Sequence, residues 1–362
     1  MRAPPVLVIP VTQVLTELQL RQFRCFESLR VELAPGFNFF IGQNGQGKTS
    51  ILEAACVLLR LQSQRSSSLA PLVKIAAKWF GVSGQCDGHA LDFRYSTLRR
   101  KLEFDHVEQR GAGEYLRIGR VVSLANTDIE LVRGGSDFRR RFLDFLGIQI
   151  EPTYRPTLRA YERALRARNM LLKSAQPRPR ELAAYDPPLL EHGAKLSLLR
   201  ASLVERLTPS AAETHREISG MNETFALQFA PGNGADFAAE LASSTVAETR
   251  LRQTVVGPHR DDLTLLVDGM PATQFASEGQ QRTIALALKI AQARVFATEE
   301  GTPPLLLIDD IFGELDPSRR NRLLRALPPA SQKLVTATNM SWREETAEGQ
   351  VFELAAQQLT AR

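Results

Sequence analysis

Residues 42–49 read Gly42-Gln43-Asn44-Gly45-Gln46-Gly47-Lys48-Thr49, an uninterrupted G-x-x-x-x-G-K-T. Glycines at these positions let backbone N–H groups turn toward a chain of phosphates. The N-terminus of the helix that follows would aim the positive end of its dipole at the same point. Lys48 would reach the β- and γ-phosphates and the Thr49 hydroxyl would ligate Mg²⁺, with Ser50 completing the nucleotide-binding set. A second set lies far downstream, where Leu305-Leu306-Leu307-Ile308 runs into Asp309-Asp310. An acid at the carboxyl end of a buried parallel strand sits where α/β sheets bind ligands. Asp309 would share Mg²⁺ with Thr49, and Asp310 would orient or deprotonate an attacking water. Lys48 and Asp310 are thus the candidate catalytic residues, with ATP as the nucleotide.

Two further stretches belong with these. Ser277-Glu278-Gly279-Gln280-Gln281-Arg282 puts a good N-cap and a glycine ahead of a long helical run. That makes either an ordinary capped helix or a second helix N-terminus suited to an anion. The chain has one phosphate loop, so this second site would close over a nucleotide held by another copy of the chain. Glu314-Leu315-Asp316-Pro317 places Asp316 at a turn beside the acidic pair, which also reads as a plain helix start.

The elements that must position these groups are partly visible. Phe37–Ile41 is apolar enough for a buried strand, and Ser50–Leu59 has helical spacing. Leu18–Phe23, Leu29–Leu33, Leu91–Tyr95 and Leu263–Val267 alternate, as half-exposed strands do, and Asp268-Gly269 is a turn signal. Helical patterns dominate from about Ser136 to Ser219, punctuated by Pro177, Pro179, Pro187 and Pro188. Thr283–Thr298 reads as helix and Lys333–Thr338 as a buried strand. The nucleotide fold is therefore expected to be α/β and split, with lobe I at 14–122 and 274–362 and a largely helical lobe II at 123–273. Residues 1–13 read as a loose tail, because Pro4, Pro5 and Pro10 interrupt their apolar character.

Composition narrows the class. The chain has 362 residues, 43% hydrophobic and 23% charged, as in ordinary globular proteins. No apolar run approaches the ~20 residues of a membrane span. Cys25, Cys56 and Cys86 are odd in number and widely spaced, which argues against a disulfide framework or zinc site and fits a reducing cytoplasm. A net charge of +5 admits a polyanionic partner. Arg155, Arg159, Arg163 and Arg166 recur at helical spacing, with Leu158, Tyr161, Leu165 and Leu172 on another face, and Arg139-Arg140-Arg141 adds charge. Such a stripe could neutralise DNA phosphates without reading sequence, or be a solvated face with pairs such as Glu162–Arg166. His259, in the polar turn Val256–Asp262, is assigned no chemistry.

These stretches resemble the RecF family of bacterial recombination mediators, relatives of the ABC-type ATPase heads of chromosome-maintenance proteins. The resemblance runs from Phe37–Thr49 through Ser136-Asp137-Phe138-Arg139-Arg140-Arg141-Phe142-Leu143-Asp144, Tyr161–Leu165 and Arg168-Asn169. It continues at Gly257–Asp262, Gly279–Thr283 and Asp309–Asp316. It implies an ABC-type head with a helical second lobe for DNA binding and dimerisation, ATP-dependent homodimerisation and weak DNA-stimulated hydrolysis. It also implies binding to double-stranded DNA and single/double-strand junctions, and recombinase loading at gaps with RecO- and RecR-like mediators. A related reading is the ATPase subunit of a nuclease-coupled system, for which the sequence offers no spare acidic cluster. Three departures stand out. Glu278 replaces the family's usual Gln. Gln64-Arg65-Ser66-Ser67 only loosely echoes a basic Ser/Arg segment. No Pro occurs around Ser123–Asn126, which leaves a glutamine-loop equivalent unassigned.

Overall fold

The structure, a computed structural model, describes residues 13–361 except 67, 175–177, 300, 302 and 341–347. The expected tail at 1–13 thus falls almost wholly outside the described residues, as do Ser67 and Pro177. The chain forms two compact units, Met1–Thr127 with Lys289–Arg362, and Asp128–Leu288. These boundaries differ from the 122/123 and 273/274 expected from sequence. In the structure the Ser277–Arg282 segment falls with the second unit, and the helix it opens (Glu278–Glu299) passes into the first at Lys289.

The first unit holds two six-stranded sheets. One is antiparallel, in spatial order Phe26–Glu32, Leu15–Phe23, Trp79–Cys86, His89–Ser96, Arg100–Phe104 and Val107–Glu108. Its alternation is the one read from sequence: Leu18 and Leu20 are buried while Arg21 is exposed. Phe23, Phe80, Phe93 and Tyr95 cluster on the inner face, with ring centroids 5.2–6.0 Å apart.

The other sheet runs Gln358–Ala361, Gly349–Ala355, Phe37–Ile41, Lys333–Ala337, Leu305–Asp309, Val121–Ala125. All its neighbours are parallel except the terminal pair. Its register brings four strand ends together, pairing Ala337 with Ile41, Asp309 with Thr336, and Asp309 with Ala125. The loops leaving these ends therefore converge. Helix Lys48–Arg60 is buried along almost its whole length, since it packs against strands of both sheets. Its polar members are paired inside: Glu53 takes a two-pronged bond from Arg24 at 2.8 and 2.9 Å, and Arg60 donates to the carbonyls of Leu116 and Gly119.

The second unit is built on helices Ser136–Ile150, Tyr154–Leu172 and Asp186–Ser219 with a small antiparallel sheet, Met270–Pro271, Asp262–Val267, Phe225–Ala230. Buried arginines tie it together. Arg168 binds Glu248 through two bonds of 2.8 and 2.7 Å and reaches Asp186 and Thr254. Arg200 binds Asp144, Asp261 and the Pro258 carbonyl. Such pairs persist because removing one partner strands a buried charge. His259 is part of the same scaffold. Its Nε2–H donates to the Thr254 carbonyl, so its Nδ1 accepts from the Tyr161 hydroxyl at 2.7 Å. Among the described residues no helix is long and apolar enough to cross a membrane.

Candidate functional site

The phosphate loop joins the apolar strand Phe37–Ile41 to helix Lys48–Arg60 as its motif requires. Gly45 and Gly47 have φ of +82° and +103°, the left-handed region that glycine enters at no steric cost. Gly47 has a second constraint, because a Cβ there would lie 2.6 Å from Cys25 Sγ and 2.8 Å from the Phe26 ring. Gly42 is fixed by close approach instead: its Cβ would lie 2.3 Å from the Leu354 carbonyl of the neighbouring strand. Lys48 Nζ donates to the carbonyls of Gly42 and Gln43 at 2.6 and 2.9 Å, so the ammonium sits inside the loop that it would share with phosphates. Burial pushes its pKa below the usual lysine range, against the pull of Asp310 and then Asp309.

Across the sheet, Thr49 Oγ1 donates to Asp309 Oδ1 at 2.8 Å. The same carboxylate oxygen accepts from Thr336 Oγ1 at 2.7 Å, and that hydroxyl accepts from the Asp310 N–H at 3.0 Å. Thr49 and Asp309 thus present two oxygen donors side by side, the hard ligand type that Mg²⁺ takes. Asp310 adopts a left-handed φ of +52°, a conformation that Asp tolerates better than most side chains. Its carbonyl accepts from Asn126 Nδ2 at 3.2 Å. Burial raises its pKa, with Asp309 and Glu314 adding to the effect and Lys48 opposing it. A carboxylate made more basic in this way is suited to take a proton from water. Thr336 and Asn126 join the site without belonging to any of its sequence motifs. Both stand at carboxyl ends of strands beside Asp309, a position that only the strand order reveals.

Asp316 caps helix Pro317–Ala326, its Oδ1 accepting the Arg319 N–H at 2.9 Å. The helix-start reading therefore describes its contacts within the chain.

In the second unit, Ser277 Oγ accepts the Gln280 N–H at 3.3 Å while Gln280 Oε1 accepts the Ser277 N–H at 2.8 Å. This reciprocal pair is a capping box, which adds the Gln280 arm of the S-x-x-Q spacing to the expected Ser277 N-cap. Gln281 bonds the Ala276 carbonyl, and the Thr283 hydroxyl bonds the Gly279 carbonyl. Glu278, the departure from the family pattern, lies 3.1 Å from Arg282 and 3.7 Å from Arg133. Its added charge is matched by two guanidinium groups of its own unit.

The candidate DNA residues separate. Arg159, Arg163 and Arg166 are exposed along helix Tyr154–Leu172, and Arg166 pairs with Glu162 at 3.3 Å. Arg155 is half-buried. The inward face is Tyr154, Thr157, Tyr161, Ala164, Arg168 and Leu172, while Leu158 and Leu165 are only half-buried. Arg139 is a correction to the sequence reading. It is buried, binds both oxygens of Asp262 at 2.7 and 3.0 Å, and donates to the carbonyls of Leu131 and Gly134, so its guanidinium is committed inside the protein. Arg140 is half-buried and donates to Ser136 Oγ and the Asp261 carbonyl.

Comparison with known proteins agrees with this geometry. The family model described as RecF/RecN/SMC N terminal domain matches residues 14–358. In solved structures the fold matches the recombination mediator protein RecF-ATPrS in the RecFOR pathway, with a TM-score of 0.88 and 28% identity over 97% of this chain and 98% of that one. The Smc head domain of Pyrococcus furiosus shares the fold alone, with a TM-score of 0.56 and 14% identity over 97% and 96% of the two chains. The protein is an α/β ATPase head of the ABC type. Among curated relatives, "DNA replication and repair protein RecF" of Symbiobacterium thermophilum is 37% identical over 362 residues, 94% of this chain and 96% of that protein. The protein of that name from Synechococcus sp. is 36% identical over 351 residues, 90% and 91% of the two chains. The chain belongs to the RecF family.

Proposed function

We propose that this protein is an ATP-gated, DNA-binding homodimer of recombinational repair and replication-fork maintenance in the cytoplasm. ATP held at Gly42–Ser50 is capped by Ser277–Arg282 of a second copy, with Asp316 at the seam, and the closed dimer clamps DNA. The observation that carries this reading is the division of labour within one chain. One unit supplies the phosphate loop with Thr49, Asp309 and Asp310, and the other supplies a capping-box helix start with no phosphate loop of its own.

Thr49 and Asp309 would hold Mg²⁺, which supplies charge neutralisation at the phosphates. Lys48 binds the β- and γ-phosphates, and Asp310 accepts the proton of the attacking water. Hydrolysis is slow, stimulated by DNA, and reopens the dimer. Duplex DNA and single/double-strand junctions are bound through Arg155, Arg159, Arg163, Arg166 and Arg140. The RecFOR pathway named for a solved relative supports RecO- and RecR-like mediators as partners and recombinase loading at gaps as the outcome.

The test is molecular mass in solution with and without ATP. Asp310→Asn is expected to bind ATP, hydrolyse it at least ~100-fold more slowly, and accumulate as a dimer. Lys48→Ala is expected to bind no ATP and stay monomeric with its fold intact. An Asp310→Asn protein that remains monomeric in saturating ATP overturns capping by a second copy.

A further inference from the structure

Glu223 stands behind the capping segment. It lies in the loop between helix Asp186–Ser219 and strand Phe225–Ala230, 13% exposed. Its Oε1 accepts the side-chain N–H of Gln280 at 2.8 Å across 57 positions of sequence. Among the described residues its Oε2 has no hydrogen-bond partner, and it lies 3.8 Å from Nε2 of His215. That ring is wholly buried, stacked on Phe225 at 5.0 Å, with Glu223 and Asp268 the acids that face it.

The chemistry of this contact fixes an orientation. A side-chain amide has one accepting and one donating end, and a carboxylate only accepts. With Nε2 held by Glu223, Oε1 of Gln280 is turned to the Ser277 N–H, as the 2.8 Å bond shows. A flipped amide would set its oxygen against the carboxylate and its NH₂ against the Ser277 N–H, two repulsions in place of two bonds. Glu223 thereby selects the orientation that completes the capping box. With the Ser277 N–H satisfied and its Oγ lone pair taken by the Gln280 N–H, the Ser277 hydroxyl keeps its proton for an incoming anion.

We propose that Glu223 is a positioning residue for the phosphate-capping segment, acting through the Gln280 amide to keep the Ser277 hydroxyl ready to donate to the γ-phosphate of ATP carried by a second copy. The second half of that statement rests on the function proposed above, and the experiment separates the two. Glu223→Ala and Glu223→Gln are compared in the full chain by ATP binding, by mass in ATP, and by NMR of the Gln280 side-chain amide with hydrogen exchange at residues 277–280. Glu223→Ala is expected to bind ATP within ~2-fold of the unaltered protein and to dimerise at least ~10-fold more weakly. Exchange at the Ser277 and Gln280 amides is expected to rise at least ~10-fold. Glu223→Gln, which keeps an accepting oxygen for Gln280, is expected to restore both properties.

A Glu223→Ala protein with unchanged exchange at 277–280 overturns the inference, as does one that dimerises normally, or a Glu223→Gln protein that fails like Glu223→Ala. If the unaltered protein never dimerises in ATP, the proposed function fails by itself. The exchange and amide signals then still decide whether Glu223 orders the segment.

Discussion

Thr49 and Asp309 are 260 positions apart in sequence, and the hydroxyl of one donates to the carboxylate of the other at 2.8 Å. Three parallel strands hold this contact in place. Phe37–Ile41 leads to Thr49, Leu305–Asp309 ends at the acid, and Lys333–Ala337 lies between them and contributes Thr336 to the same carboxylate oxygen. The site is therefore a property of strand order as much as of motif.

Thr336→Val tests that statement. It removes the hydroxyl that bonds Asp309 and the Asp310 N–H at nearly constant volume, leaving the Gly42–Thr49 loop untouched. Steady-state hydrolysis should fall roughly tenfold, the equivalent of ~1.4 kcal/mol, while ATP affinity changes less than threefold. Unaltered turnover would show that Thr336 does not orient the acids.

Arg159 and Arg163 are exposed four residues apart on one helix face. Replacing both with alanine should weaken duplex binding and flatten the slope of log affinity against log salt by roughly 2, about 0.9 per phosphate contact. Arg139→Ala should instead destabilise the fold, because Asp262 loses its two-pronged partner. A salt titration superimposable on that of the unaltered protein would exclude the helix face from the interface.

The Arg168–Glu248 pair predicts an asymmetry. Arg168→Met strands a Glu248 side chain that is 1% exposed and should cost about 3–5 kcal/mol in urea unfolding. Adding Glu248→Leu removes the orphaned charge and should recover part of the loss. If the double variant is weaker than the unaltered protein by the sum of the two single-variant effects, the two residues do not act as a pair.

Acid should weaken the second unit through His259. Burial, with Arg260, Arg140 and Arg200 nearby, lowers its pKa from 6.5 to about 4. The unfolded chain then binds the proton first as pH falls, so stability is complete above 6.5 and drops toward 4 by up to about 3 kcal/mol. His215 is shifted in the same direction by burial. A His259 ring resonance that titrates near 6.5 in the folded protein would contradict this.

The parts of the site carried by contiguous residues could be read directly. Gly42–Thr49 and Asp309-Asp310 stand out through spacing and flanks, and the four-residue spacing of Arg159 and Arg163 marks an outward face. Asn126 and Thr336 carry no such local mark, since strand register alone brings them beside the acids. Arg139 and Arg140 are neighbours of one type, yet Arg139 is buried because Asp262, 123 positions away, meets it. The capping box was present in the S-x-x-Q spacing, whereas the Glu223 contact needed the loop after helix Asp186–Ser219 to fold back onto Gln280. Local pattern thus specifies groups that act through their own backbone, and topology specifies those that act through a distant partner.

Helix Lys48–Arg60, enclosed by sheet on both flanks, gives the nucleotide grip a mechanical character. A jaw mounted on such a spindle cannot swing without tearing strands from two sheets. A helix held in this way would leave the loop at its N-terminus a fixed seat for an arriving ligand. Such a seat would surrender little ordering entropy on binding a nucleotide.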